Sequence, residues 1–197
     1  MKTYLSALVV LLATLPAFSQ NAVIPSKEIQ IKTAVMAAPD EKQQDATVLG
    51  YDQSGELVEL RKGTNGMICL ADDPNGKGFS VSCYATELEP FMVRGRELKK
   101  EGKAFQEIFD TREAEAKSGK LKMPKEGATL FVLTADAEKY DINTGEVSDT
   151  FLRYVVYLPW ATSETTGLPL KPSAPGMPWI MDPGTHRAHI MITPAKD

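Results

Sequence analysis

Cys69-Leu70-Ala71-Asp72-Asp73-Pro74-Asn75-Gly76-Lys77-Gly78-Phe79-Ser80-Val81-Ser82-Cys83 decides how this chain folds. Its middle, Asp72 to Gly78, is dense in turn-forming residues, each of which favours a reversal for its own stereochemical reason. Gly76 lies midway between the two cysteines, so a hairpin centred there sets Cys69 opposite Cys83. These are the only cysteines in the chain. In an oxidising compartment they read as one disulfide. C-x-x-C spacing is absent, and two thiols alone do not make a zinc site.

The N-terminus supplies that compartment. Lys2 precedes the apolar run Leu5–Leu15, Pro16 breaks it, and Ala17-Phe18-Ser19 sets small residues two positions apart. This is the pattern of a secretory signal peptide, residues 1–19. The apolar run is short for a bilayer span, and the remainder of the chain holds no stretch of membrane-spanning length. Loss of Lys2 moves the net charge from −4 to −5. An acidic chain is a poor match for nucleic acid or anionic lipid. The expectation is an exported domain spanning 20–197, periplasmic or extracellular.

Outward from the cysteines, the pattern is that of an α+β domain with a mostly antiparallel sheet built of meander hairpins and two or three helices. Ser26 caps a helix that Pro39 stops, with Ile29, Ala34, Val35 and Met36 inward. Ala46–Tyr51 and Glu56–Lys62 flank a turn at Asp52–Gly55. Thr64-Asn65-Gly66-Met67 carries the Asn-Gly signal of a type I′ hairpin. Met67–Leu70 and Phe79–Tyr84 follow as strands. Thr86-Glu87-Leu88-Glu89 reads as a capping box, with Leu88, Phe91, Met92 and Leu98 on one helical face. Ala104–Ser118 continues as helix, with Phe105, Ile108 and Phe109 inward and a Glu113–Lys117 pair outward. Arg94, Arg96, Lys99, Lys100 and Lys103 alternate with Glu97 and Glu101, which reads as a solvated face. Ala128–Ala135 and Thr150–Leu158 form paired strands. The segment Asp141–Gly145 between them lacks the spacing of a calcium loop and reads as a hairpin turn.

Residues 159–185 hold six of the 13 prolines and both tryptophans, Trp160 and Trp179. Proline excludes helix and inner strand here, while Trp, Met and Ile exclude a flexible linker. His186–Thr193 reads as the last strand. The region supports several chemistries. Trp160, Trp179 and Met181 on stiffened loops offer a rigid apolar surface for a small molecule or an envelope protein. A small hydrolase would use His189 or His186 as base, Ser163, Thr165 or Thr166 as nucleophile, and Asp182 or Glu164 as orienter. Met177, Met181, His186, His189 and Met191 are the residue types that bind copper. Along a strand, however, His186 and His189 point to opposite faces unless a bulge intervenes. The sequence holds no catalytic or cofactor motif such as G-x-S-x-G, H-E-x-x-H or S-x-x-K, and no cofactor is expected. Binding without catalysis is the favoured expectation, and the hydrolase is its alternative.

Three segments, Leu60–Leu70, Tyr154–Pro169 and Pro178–Ile192, resemble a group of exported bacterial proteins of unassigned function. The resemblance implies export and single-domain organisation, and transfers no catalytic or ligand residue.

Overall fold

A computed structural model describes residues 23–195, so the signal-peptide segment lies outside the described residues. Lys27–Ala34 forms α1, capped by the Ser26 hydroxyl, which accepts from the Ile29 amide at 3.3 Å. A single 3-10 turn and the short α2 (Asp40–Gln43) lead into β1 (Thr47–Tyr51) and β2 (Leu57–Arg61). Next come β3 (Met67–Leu70), β4 (Phe79–Ala85), α3 (Glu89–Lys100) and α4 (Phe105–Lys117). The chain continues through β5 (Ala128–Ala135), the two-residue strands β6 (Tyr140–Asp141) and β7 (Glu146–Val147), and β8 (Phe151–Tyr157). It closes with α5 (Ser163–Thr166), β9 (Trp179–Met181) and β10 (His189–Ile192).

Eight of these strands make one sheet in the order β2-β1-β3-β4-β5-β8-β10-β9, while β6 and β7 pair apart as a small hairpin. Its centre has the register that the cysteine spacing predicts: Cys69 pairs with Cys83 and a disulfide joins them. Alternation along the strands then sends one set of side chains to each face. Val48, Cys69, Phe79, Val81, Cys83 and Leu133 pack with Ala34 and Val35 of the α1 segment. Ile68, Tyr84, Leu130, Val155 and Tyr157 pack with Leu88, Phe91 and Leu121 of the α3–α4 side. Two cores thus share one sheet.

The sheet is mostly antiparallel but is not a simple meander. β1 pairs antiparallel with β2 and parallel with β3, so β2 lies at the edge instead of between them. The chain after β2 crosses the end of β1 instead of turning back. Gly63 makes that crossing possible, since a Cβ there would lie 2.1 Å from the Thr47 nitrogen. Thr64 and Asn65 both donate to the Asp45 carbonyl, and the Asn65 side chain donates to Lys42 and accepts from Met67. The Asn-Gly pair therefore serves a crossover that the local turn signal alone reads as a hairpin.

Other departures have equally local causes. Among the described residues there are five helices, because α2 and α5 are single-turn elements that patterning does not register. Thr86 opens a separate 3-10 turn instead of a capping box. The Glu89 carboxylate instead receives the Tyr84 hydroxyl and the Arg96 guanidinium. Phe105, expected inward, is 64% exposed at the start of α4. The last strand begins at His189, not His186. No described helix is long and apolar enough to cross a membrane.

The two outer edges differ. On β9 the Ile180 amide donates to the Pro169 carbonyl at 3.0 Å, so the proline-rich loop covers that edge. Among the described residues no strand pairs with the outer side of β2. Replacing Cys69 and Cys83 together with Ser should lower stability to urea by about 3 kcal/mol, the chain-entropy value for a loop of this size. An unchanged urea midpoint would remove the bridge as a structural staple.

Candidate functional site

Beyond β8 the chain turns at Pro159-Trp160 and meets the loop that precedes β10. Three backbone bonds lace the two segments: Leu158 N–H to Ala188 O at 2.9 Å, Trp160 N–H to Thr185 O at 2.8 Å, and Gly184 N–H to Ala161 O at 2.8 Å. One non-glycine residue in each takes a left-handed backbone, Trp160 at φ 70° and Asp182 at φ 52°. For an aspartate this is tolerated. For a bulky tryptophan it costs about 1–3 kcal/mol and persists only where the surroundings enforce it. Trp160 is nevertheless 40% exposed.

The enforcing contact comes from α4. One oxygen of Glu113, Oε2, accepts both the His186 backbone amide at 2.9 Å and its ring Nδ1 at 2.6 Å. The other, Oε1, meets Lys117 at 2.7 Å, and the Lys117 ammonium sits over the Trp160 indole at 5.9 Å. The pair Glu113–Lys117 expected on the outward face forms, but Glu113 also turns inward to hold the loop. Burial pushes the Glu113 carboxyl up, yet the hydrogen bonds from Lys117 and His186 outweigh it and hold the group at about 2. As a carboxylate it accepts the Nδ1 proton, so neutral His186 carries its lone pair on Nε2. Burial pushes the His186 imidazole below its usual value, helped by Arg112 and Arg187 and opposed by Glu113.

Both histidines reach the α3–α4 side. His186 precedes the strand, so strand alternation does not govern it. Its ring lies edge-on to Phe109 at 4.9 Å and tilted to Phe91 at 5.8 Å. His189 stacks on Tyr157 at 5.1 Å, and its Nδ1 donates to the Arg187 carbonyl at 2.7 Å, which leaves Nε2 as the acceptor. Burial lowers the His189 imidazole as well. The two side chains are sealed, at 0% and 2% exposure. Arg112 lies beside them, its guanidinium 3.9 Å above the Phe91 ring, and burial pushes it down to about 10. Gly95 leaves room for it, because a Cβ would stand 2.8 Å from the Arg112 Nη1. Among the described residues His186 Nε2 and Arg112 Nε have no hydrogen-bond partner.

The chain matches no family model, no curated protein and no solved structure.

Each residue singled out from sequence can therefore be placed by geometry alone. Tyr157, His189 and Met181 form one cross-strand row. Trp160 lies beyond that row and Trp179 before it, beside Met191, so the two indoles do not share one end of the sheet. Met181 and Met191 share the face of His189, and Met177 sits in the exposed loop before β9. Asp182 orients Arg187, with which it forms an ion pair, and not a histidine. The hydroxyls of the hydrolase reading are engaged within the α5 turn. Ser163 donates to Leu168 O at 2.6 Å, Thr166 donates to Thr162 O at 2.8 Å, and Thr165 accepts from the Thr162 amide at 2.9 Å. Among the described residues no three of His, Cys, Asp or Glu group as metal ligands. Glu113, Arg112 and Tyr157 complete the cluster, and only the helical face of α4 hints at the first two.

The pH dependence follows from the histidines. A group whose folded value is depressed gives stability that is present at higher pH and lost as pH falls. Unfolded histidine takes a proton near pH 6.5, and the sealed rings resist it. Asp72 acts oppositely, since burial raises its carboxyl to about 6. Between about pH 7 and about pH 4 the wild type should lose more stability to urea than His186→Gln does. Parallel pH profiles for the two proteins would show that His186 is not the responding group.

Proposed function

We propose that this chain is an exported binding domain that acts without a catalytic step, holding a small molecule or an envelope partner against Trp160. The observation that carries the reading is the strained, part-exposed Trp160 under Lys117. A bulky aromatic in the left-handed region is retained against its own backbone preference, and such strain gathers at ligand-contacting positions. Backbone hydrogen bonds already lace its segment to the loop before β10, so little order is lost on binding. Export is supported by the pattern of residues 1–19, by the disulfide and by the resemblance of three segments to exported bacterial proteins. Met181 lies in the row of Tyr157 and His189, and Trp179, toward the opposite end of the strands from Trp160, would extend the surface only for a larger partner.

The hydrolase alternative rests on one observation, the Glu113–His186 pair with an unpartnered Nε2. A carboxylate that fixes the tautomer is how a general base is oriented. Phe91 and Phe109 close over that ring, so this reading requires the loop to leave α4 before a substrate could enter. Gln at His186 or His189 would abolish a hydrolytic activity and leave Trp160-based binding intact.

The binding reading is checked with Trp179→Phe, which leaves Trp160 as the sole indole. Titration of that protein with a panel of soluble sugars, peptides and lipid headgroups should change its fluorescence for at least one member, and Trp160→Ala should not bind that member. A spectrum unmoved by the whole panel counts against the reading. Trp160→Gly should be more stable than Trp160→Ala by about 1 kcal/mol, the reverse of the usual order, because glycine accepts the left-handed backbone. The urea midpoints of the two variants measure that difference.

A further inference from the structure

Two Asn-Gly pairs occur in the chain, Asn65-Gly66 and Asn75-Gly76, and the fold treats them in opposite ways. Asn65 is half-buried in the crossover between β2 and β3, with its side chain held at both ends. Its Nδ2 donates to the Lys42 carbonyl at 2.7 Å, and its Oδ1 accepts from the Met67 amide at 3.1 Å. Gly66 is fixed as well, its carbonyl accepting from the Thr86 amide at 3.0 Å. Asn75 and Gly76 stand exposed in the loop between Cys69 and Cys83, outside β3 and β4. Among the described residues nothing hydrogen-bonds to the Asn75 side chain. The Asn75 amide donates to Asp73 Oδ1 at 3.0 Å, and the Gly76 amide donates to the Asp73 carbonyl at 2.7 Å.

We infer that Asn75 is a site of spontaneous covalent modification, losing its side-chain amide without an enzyme while Asn65 is spared. Asparagine is thermolabile, and a following glycine has no Cβ to hold the next nitrogen away from the side-chain carbonyl. In the first step the Gly76 nitrogen attacks Asn75 Cγ and gives up its proton as the new bond forms. The Cγ–Nδ2 bond breaks and ammonia leaves with that proton, which closes a five-membered imide. Water then opens the ring at either carbonyl, its hydroxyl going to carbon and its proton to nitrogen. One opening gives aspartate. The other gives isoaspartate, with the backbone rerouted through the side-chain carbon. The attack requires the Gly76 N–H to leave Asp73. That bond belongs to a single turn of an exposed loop, and such segments open at little free-energy cost. Attack at Asn65 instead requires the crossover to break its bonds to Lys42 and Met67. Asn143 precedes Thr144, whose branched side chain obstructs the same approach. Either product adds a negative charge beside Asp72 and Asp73, and no part of the step involves Trp160.

The purified disulfide-bonded protein is incubated in mildly alkaline buffer at physiological temperature, beside a reduced sample unfolded in guanidinium. Both are followed over time by peptide mass mapping. In the folded protein the peptide carrying Asn75 should gain the mass of the amide-to-acid change. Electron-transfer fragmentation should resolve the product into aspartate and isoaspartate. The Asn65 peptide should change at least about tenfold more slowly, which corresponds to about 1.4 kcal/mol of local opening. The unfolded chain supplies the intrinsic rate of each site, against which both are read. Asn75→Gln should stay unmodified at that position, because its longer side chain closes the ring poorly, and unchanged thermal unfolding shows that its fold is retained. An Asn75 that survives in the folded protein for as long as Asn65 overturns the inference. So does a product that is aspartate alone, which marks direct hydrolysis in place of imide closure.

Discussion

Every strand in the sheet takes its facing from the pairing of Cys69 with Cys83. The two positions lie opposite one another in adjacent antiparallel strands at the middle of the sheet, fully buried. A slip of one residue there would exchange the two faces of β3. Met67 and Cys69 would then leave the α1 core, and Ile68 would leave the α3 core. With two cores built on one sheet, the register has no neutral alternative. The bridge restricts the unfolded chain, while burial on both sides selects the folded register.

A second, smaller constraint operates where the sheet ends. Glu113 accepts two hydrogen bonds from one residue of a loop 73 positions away, and that loop is laced to the turn carrying Trp160. The unusual backbone of Trp160 is thus maintained at a distance by a carboxylate on α4. Removing one partner of such a contact leaves the other buried and unsatisfied, which costs more than the net gain of forming it. Stability and the shape of the surface are coupled through the same residue.

How much of this is legible in the residues depends on the range of the cause. The turn chemistry around Gly76, the β5–β8 pairing and the Ser26 cap are local, and pattern reading places them correctly. The parallel β1–β3 pairing is not local. It depends on Gly63 passing close to the backbone of residues 45–47, a contact that no turn rule anticipates. His186 shows the same limit. Strand alternation assigns it a face, but Glu113 draws it into a loop and toward the helices. Glu113 itself carries the i,i+4 spacing of a solvent pair, which conceals its inward role. The candidate site is therefore legible as a region, through Trp160 and the prolines, and not as an arrangement.

The two margins of the sheet, one sealed by the Pro169 carbonyl and one left open at β2, have a consequence for assembly. Strand addition can propagate only when each newcomer presents a fresh margin for the next. A molecule with a single available margin terminates whatever it joins. Two copies joined through β2 would therefore leave no second margin for a third, and the architecture resists fibre growth by this route.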